Sequence, residues 1–278
     1  MKGVVPPIIY LDSCVVSDLA TKNLKLRDVF DACGCPHAIF AFSMQSVLEA
    51  IRGDLPPRIA ARALVIDKLA NLWLPNPVGT RDLELAHFLK PDFSFRLTTE
   101  HCFATLGKLM QFELGAEKVT NPERYSASYF ACDKIQSGLD DPVIDMWFKF
   151  GECVRQRLTA SQGDFLDIVG NLQLARGVIV RYGLAESDED SMRMIVKIGA
   201  ASSDLRAECP ALEIEKLLSE FRTSGAVKNN TSNTYDFFHV WAALAGCNFF
   251  VSTDKGALDA VEYVNTRYPS MCTAVKIG

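Results

Sequence analysis

Two kinds of hydrophobic pattern divide this chain. Short apolar runs that close on an acidic or hydroxyl residue lie near its two ends. Longer stretches with apolar positions three or four apart fill its middle. The run Ile8-Ile9-Tyr10-Leu11, ending at Asp12, shows no alternation, as expected of a parallel strand covered by helices on both faces. After breaks at Gly34 and Pro36, His37–Ala41 reads as a second strand. Phe249–Thr253, ending at Asp254, and Cys272–Ile277 read as two more. Between them the spacing predicts helices over 14–21, 24–32, 44–51, 235–245 and 259–266. Ser43 is placed to cap the helix at 44–51, Gly53 and Pro56-Pro57 to stop it, and Asn233-Thr234 to cap the helix that Gly246 closes.

From Arg58 to about Thr223 strand-like runs are scarce. Helices are predicted over 58–73, 81–89, 98–114, 122–137, 142–158, 165–182, 187–201 and 211–221. Thr98-Thr99-Glu100 and Ser187-Asp188 look like helix starts, and Gly138, Gly163 and Gly183 like stops. No fixed-period repeat is present. The pattern implies an α/β fold: a three-layer α/β/α core of four or five parallel strands, discontinuous over 1–57 and 224–278, with a helical insertion over 58–223.

Composition narrows the class. The chain has 278 residues, 49% of them hydrophobic, and a formal net charge of -5, which fits a packed globular protein and neither demands nor excludes a nucleic-acid partner. Its nine cysteines are scattered and odd in number. With no signal-peptide pattern and no apolar run of about 18 residues, the expectation is reduced thiols, cytoplasmic location and no membrane span.

Four acids share a positional logic. Asp12 ends strand one, Glu49 projects from the helix after strand two, Asp236 lies in the first turn of a late helix, and Asp254 ends the strand that follows. Strand ends and helix starts meet at one edge of such a sheet, where ligand sites gather. Clustered carboxylates repel unless a cation compensates, and oxygen donors suit Mg²⁺ or Mn²⁺. Such ions activate water and hold phosphate oxygens, which suits phosphodiester hydrolysis. Acids at these positions also arise from helix capping alone.

The segments Ile9-Tyr10-Leu11-Asp12-Ser13, Ser43-x-x-Ser46-x-Leu48-Glu49-x-x-Arg52-Gly53, Tyr235-Asp236-x-x-His239-x-x-x-Ala243-x-x-x-Cys247 and Phe250-Val251-Ser252-Thr253-Asp254, in this order, resemble the PIN-domain nuclease family. That family includes the toxin ribonucleases of bacterial toxin–antitoxin pairs. The resemblance covers roughly residues 6–55 and 230–278. It implies a metal-dependent endoribonuclease in which Asp12, Glu49, Asp236 and Asp254 are the catalytic, metal-binding acids for Mg²⁺ or Mn²⁺. RNA is the implied substrate, DNA the competing one, and an antitoxin or other protein partner or a homodimer the implied assembly. Ser13 and Thr253 are expected to support the acids. One position departs: Cys14 stands where many members carry Asn or Ser, leaving Ser13 to supply a polar contact.

Other features carry less. Arg52 and Lys255 flank site acids and are candidates for contacting a phosphate backbone. Arg58 and Arg62, one turn apart, form a basic ridge, with Asp54 and Asp67 nearby in sequence. His239 follows Asp236 by one helical turn and is placed to face the site or to pack. Phe93, Phe95, Tyr125 and Tyr129 suit base stacking or core packing. Cys33-Gly34-Cys35-Pro36-His37 lacks the second ligand pair of structural zinc and reads as a turn, and Glu186–Asp190 as a dipole-favoured helix start. No phosphate-cradling Gly-x-x-x-x-Gly-Lys-Ser/Thr loop is present, and Cys14 replaces the second Asp of an aspartyl-nucleophile phosphatase. A PIN-like module that binds nucleic acid or protein without catalysis is the competing reading.

Overall fold

The computed structural model describes residues 6–52, 55–93, 102–160, 168–200, 205, 207–224, 231–268 and 272–278. Residues 94–101, with Phe95 and the predicted helix start Thr98-Thr99-Glu100, lie outside them, as do Gly53, Asp54 and Gly163. A five-stranded, all-parallel sheet forms the centre, in the order β3-β2-β1-β4-β5. Its strands are β1 (Ile8–Leu11), β2 (Ile39–Ser43), β3 (Ala70–Leu74), β4 (Phe249–Ser252) and β5 (Thr273–Lys276).

The first five helices are α1 (Ser13–Ala20), α2 (Leu26–Cys33), α3 (Met44–Ile51), α4 (Pro56–Leu69) and α5 (Pro77–Leu89). Five more follow: α6 (Leu106–Leu114), α7 (Ala127–Ser137), α8 (Pro142–Ala160), α9 (Ile168–Tyr182) and α10 (Asp188–Ala200). The last three are α11 (Pro210–Thr223), α12 (Thr231–Gly246) and α13 (Lys255–Asn265). The acidic run ahead of α10 does occupy a helix start, and the backbone N–H of Glu186 donates to Asp190 Oδ2. Gly138 and Gly183 end α7 and α9 with left-handed φ values of 75° and 57°.

The three inner strands β1, β2 and β4 are buried on both faces, which explains their apolar runs, while β3 and β5 lie at the edges and are partly exposed. Successive β1 side chains point to opposite sides. Ile9 and Leu11 join a core with Phe40, Phe42, Val47, Ile66 and Trp147, while Ile8 and Tyr10 join Leu217, Trp241, Phe250 and Val261. The first layer contains α1 to α4, α6, α7 and part of α8; the second contains α11, α12 and α13. A third cluster unites α5, α9 and α10 through Leu85, Phe88, Val178, Ile179, Met194 and Ile198. Among the described residues no helix is long and apolar enough to cross a membrane.

Several predicted helix starts shift, to Pro77, Leu106, Ala127 and Lys255, and two further changes reach the sheet and the acids. The helix predicted over 58–73 stops at Leu69 and the chain turns directly into β3, inside the stretch read as helical. A short apolar run adjoining a helix carries no periodicity of its own, so its spacing merges with the helix. What makes it a strand is the open edge of β2. Asn71 sits at a register shift, where its Oδ1 accepts the Phe40 N–H at 2.9 Å. The exposed side of β3 is closed in turn by Phe103, whose backbone exchanges hydrogen bonds with that of Trp73. The second change is at α12, which begins at Thr231 and not at Asn233-Thr234. Asp236 therefore lies in its second turn, beyond the end where the helix dipole stabilises a carboxylate most.

The direction of strand addition reverses at β1. From β1 the chain builds outward to β2 and β3, then returns to add β4 and β5 on the other side. Loops leave the carboxyl ends of β1 and β4 in opposite directions and open a crevice there, the usual ligand position of a doubly wound sheet. Asp12 immediately follows β1, and Asp254 lies two residues beyond the end of β4.

Candidate active site: an acidic cleft at the sheet switch point

Asp12 is fixed from three sides. Its Oδ1 accepts the Ser13 N–H at 2.7 Å as the cap of α1, and its Oδ2 accepts the Ser252 hydroxyl at 2.6 Å and the Cys14 thiol at 3.2 Å. Only 2% of the residue is exposed, so these bonds replace solvent and leave the carboxylate little freedom to rotate. Burial, followed by the Asp12 charge, pushes the Cys14 thiol up, so it stays protonated and able to donate. The Thr253 N–H approaches its sulfur at 3.4 Å.

The polar contact expected from Ser13 is thus a backbone one, and Ser252 supplies the hydroxyl. Thr253, proposed from sequence, contributes its backbone, while the Ser252 Oγ also accepts the Asp254 N–H at 2.9 Å. A buried hydroxyl inside an apolar strand requires a partner, and this requirement was the sequence signal for Ser252.

Glu49 lies on α3 beside α12. Its Oε1 accepts from Gln45 Nε2 at 2.9 Å, and its Oε2 stands 3.1 Å from His239 Nε2. The latter contact is an ion pair without the alignment of a good hydrogen bond, for Nε2 has no hydrogen-bond partner by geometry. His239 is fully buried; its Nδ1 is 2.8 Å from the Tyr10 hydroxyl, which also touches Ser43 Oγ at 2.7 Å and Ser46 Oγ at 3.1 Å. Burial alone would raise the Glu49 carboxyl, but the His239 imidazolium beside it and the hydrogen bonds from Ser13 and Gln45 bring it down to about 2. Burial likewise opposes charge on His239, and Tyr10 and Glu49 override it, holding the imidazole well above its ordinary value.

Asp236 faces the same space. Burial first, and then the charges of Asp12, Glu49 and Asp254 against the opposing pull of His239, push its carboxyl up to about 7. Asp254 is more peripheral: it is exposed, and its Oδ1 caps α13 by accepting the Ala257 N–H at 2.9 Å. A cleft of about 250 Å³ is lined by Ser13, Cys14, Glu49, Arg52, Arg62 and Asp236, among others. Lys255 is turned outward and paired with Asp259.

The other candidates are engaged elsewhere. Phe93 packs on Tyr182, and Tyr125 and Tyr129 meet edge to face with the Arg124 guanidinium over both rings. Asp67 caps α7 through the Ala127 and Ser128 N–H groups. Cys33-Gly34-Cys35 is a helix-ending turn, with the Cys35 thiol donating to the Cys33 carbonyl and Gly34 at φ 64°.

The donor set suits a hard cation. Asp12 and Asp236 offer carboxylate oxygens, and the repulsion that raises Asp236 is what a divalent ion would relieve. Among the described residues no three His, Cys, Asp or Glu side chains converge closely enough to form a ready-made cage. An ion that keeps several waters and takes only one or two carboxylates directly, as Mg²⁺ does, is the kind such a pair of carboxylates could hold. No family model matches the chain, and no curated protein or solved structure matches it either.

Proposed function

We propose that this chain is a metal-dependent nuclease of PIN-like type that hydrolyses phosphodiester bonds, with RNA as its substrate. The observation that supports the reading most is the gathering of Asp12, Glu49 and Asp236 from distant parts of the sequence at the switch point of the sheet, with Asp254 at its margin. Asp12 and Asp236 are the residues that would hold a divalent cation, and Glu49 and Asp254 add negative charge around them. A bound Mg²⁺ or Mn²⁺ supplies Lewis acidity and an activated water nucleophile.

The protein's own contribution is orientation and proton control. Ser13, Cys14 and Ser252 hold the Asp12 carboxylate in one direction. Gln45 and His239 hold Glu49 ionised and turned inward. Asp236, poised near neutrality, can hold or release a proton at its carboxylate within the working pH range. One observation favours a second reading, a binding module with weak or no catalysis: Glu49 already has an internal cation as its partner.

Cleavage of matched single-stranded RNA and DNA oligonucleotides with Mg²⁺ or Mn²⁺ tests the proposal. The wild type is expected to cut the RNA, and Asp12→Asn to lose more than the ~10–100-fold that outer partners of a metal site cost. Undiminished cleavage by folded Asp12→Asn rejects the assignment. Absence of cleavage together with absence of metal-induced stabilisation supports the binding module.

A further inference from the structure

The cleft has a basic wall as well as an acidic one. Arg62 projects into it from α4, a helix that packs against both α1 and α3. The guanidinium's only described hydrogen bond is a long one, Nη2 to the Arg52 carbonyl at 3.4 Å, and its Nε is buried with no partner. Arg81, by contrast, donates from Nη1 to both Glu215 oxygens and from Nε and Nη2 to Asp82 Oδ1, while Arg181 pairs with Asp82 and Arg124 with Asp141. Among the described residues Arg62 forms no ion pair, although Glu49 is near enough to act on it electrostatically. A buried donor without a partner costs about 1–3 kcal/mol. A cation beside a group of acids that pairs with none of them is available to an incoming anion.

We infer that Arg62 is the anchor of a phosphate subsite, which binds the backbone phosphate of a single-stranded nucleic acid in the cleft shared with Asp236. The planar guanidinium fork matches two phosphate oxygens, and a small rotation gives Nε the acceptor that the protein does not supply. Ser17 lines the same cleft and offers a hydroxyl donor. Arg58, one turn earlier and exposed, lies where the next phosphate along the strand would pass. The inference rests on the phosphodiester reading of the acidic site. It adds the group that grips substrate, and it assigns that role to α4 in place of Lys255, which is exposed and paired with Asp259.

The test is equilibrium binding of a fluorescent single-stranded RNA of about ten nucleotides, read by anisotropy over a range of salt, with Ca²⁺ replacing the catalytic cation. The wild type, Arg62→Gln, Arg62→Lys and the remote control Arg193→Gln are compared, with inorganic phosphate as competitor. Arg62→Gln is expected to weaken binding about tenfold and to lower the salt slope by about 0.7, the single-strand value for one lost phosphate contact. Arg62→Lys should fall between, keeping charge but losing the fork, and Arg193→Gln should match the wild type.

Equal affinity and slope for wild type and Arg62→Gln overturn the subsite, as does failure of the wild type to bind either RNA or phosphate. Arg62-dependent binding without any cleavage in Mg²⁺ or Mn²⁺ leaves the subsite standing and removes the hydrolase reading. Cleavage by Arg62→Gln with an unchanged KM does the reverse. Because the substitution removes an unpartnered donor, the variant should unfold no earlier than the wild type, which separates loss of binding from loss of fold.

Discussion

His239 Nε2 lies 3.1 Å from Glu49 Oε2, and the histidine is fully buried between α3 and the sheet. The pair joins residues 190 positions apart and ties α12 to α3. Removing one member of a buried pair leaves the other charge uncompensated, at a cost of about 3–5 kcal/mol. His239→Gln is therefore expected to lose roughly that much stability in urea unfolding. The double variant His239→Gln/Glu49→Gln should recover a large part of it, and strictly additive losses would show that the pair is not coupled.

Asp236 has the opposite balance. Its carboxyl is pushed up to about 7, so its contribution to stability is fully present below an unfolded value near 3.8 and is lost as pH rises through about 7. Asp236→Asn should raise the melting temperature of the metal-free protein at pH 8, leave it nearly unchanged near pH 4, and abolish stabilisation by Mn²⁺. Because that group must release its proton to hold a cation, Mn²⁺ affinity should climb with pH up to about 7 and then level off. Calorimetric titration across pH checks this, and a pH-independent affinity contradicts it.

Acids remote from the cleft give the fold a pH profile of their own. Glu84, buried with the Ala211 N–H as its hydrogen-bond partner, is raised to about 8, and Glu113, beneath Trp147 and Asn76, to about 7, both by burial. Their stabilising contribution is complete below about 4.5 and is lost as pH rises toward 8. The Glu49–His239 pair adds its own limits: Glu49 loses its contribution as pH falls from about 4.5 to about 2, and His239 loses its own as pH rises through its elevated value. Taken together, these groups place the stability maximum at about pH 4–5. Glu84→Gln, which keeps an acceptor for Ala211, should flatten the alkaline side in denaturant titrations.

Much of this arrangement is legible in the sequence, and the reasons are local. Doubly buried strands must be apolar throughout, so β1 and β4 and the acids that follow them stand out. β3 does not, because Ala70–Leu74 continues the apolar spacing of α4 without a break. Contacts between distant residues are less readable still: nothing in local spacing links Ser252 to Asp12, or His239 to Tyr10 and Glu49. Their trace is a polar atom set in an apolar run, which must find a partner but does not name it. With Cys14 in place of Asn or Ser, the polar contact was expected from Ser13, whereas the Cys14 thiol and Ser252 supply two beside the Ser13 backbone N–H.

That division of labour can be measured. Ser252→Ala removes the 2.6 Å bond to Asp12 and the acceptor of the Asp254 N–H, so a loss of roughly 10–100-fold in metal affinity or cleavage is expected. Cys14→Ala removes only a weak thiol donor at 3.2 Å and should cost less. Metal titration of both variants ranks them, and the reverse order would mean that the thiol, not the hydroxyl, orients Asp12.

The account depends most on the acids at the switch point acting together on a divalent cation. Anomalous diffraction from a crystal soaked in Mn²⁺ tests this directly. A peak in contact with Asp12 or Asp236, absent from Asp236→Asn crystals treated in the same way, is the predicted result. A cleft without a peak at saturating Mn²⁺, or an ion bound only elsewhere on the molecule, would contradict it.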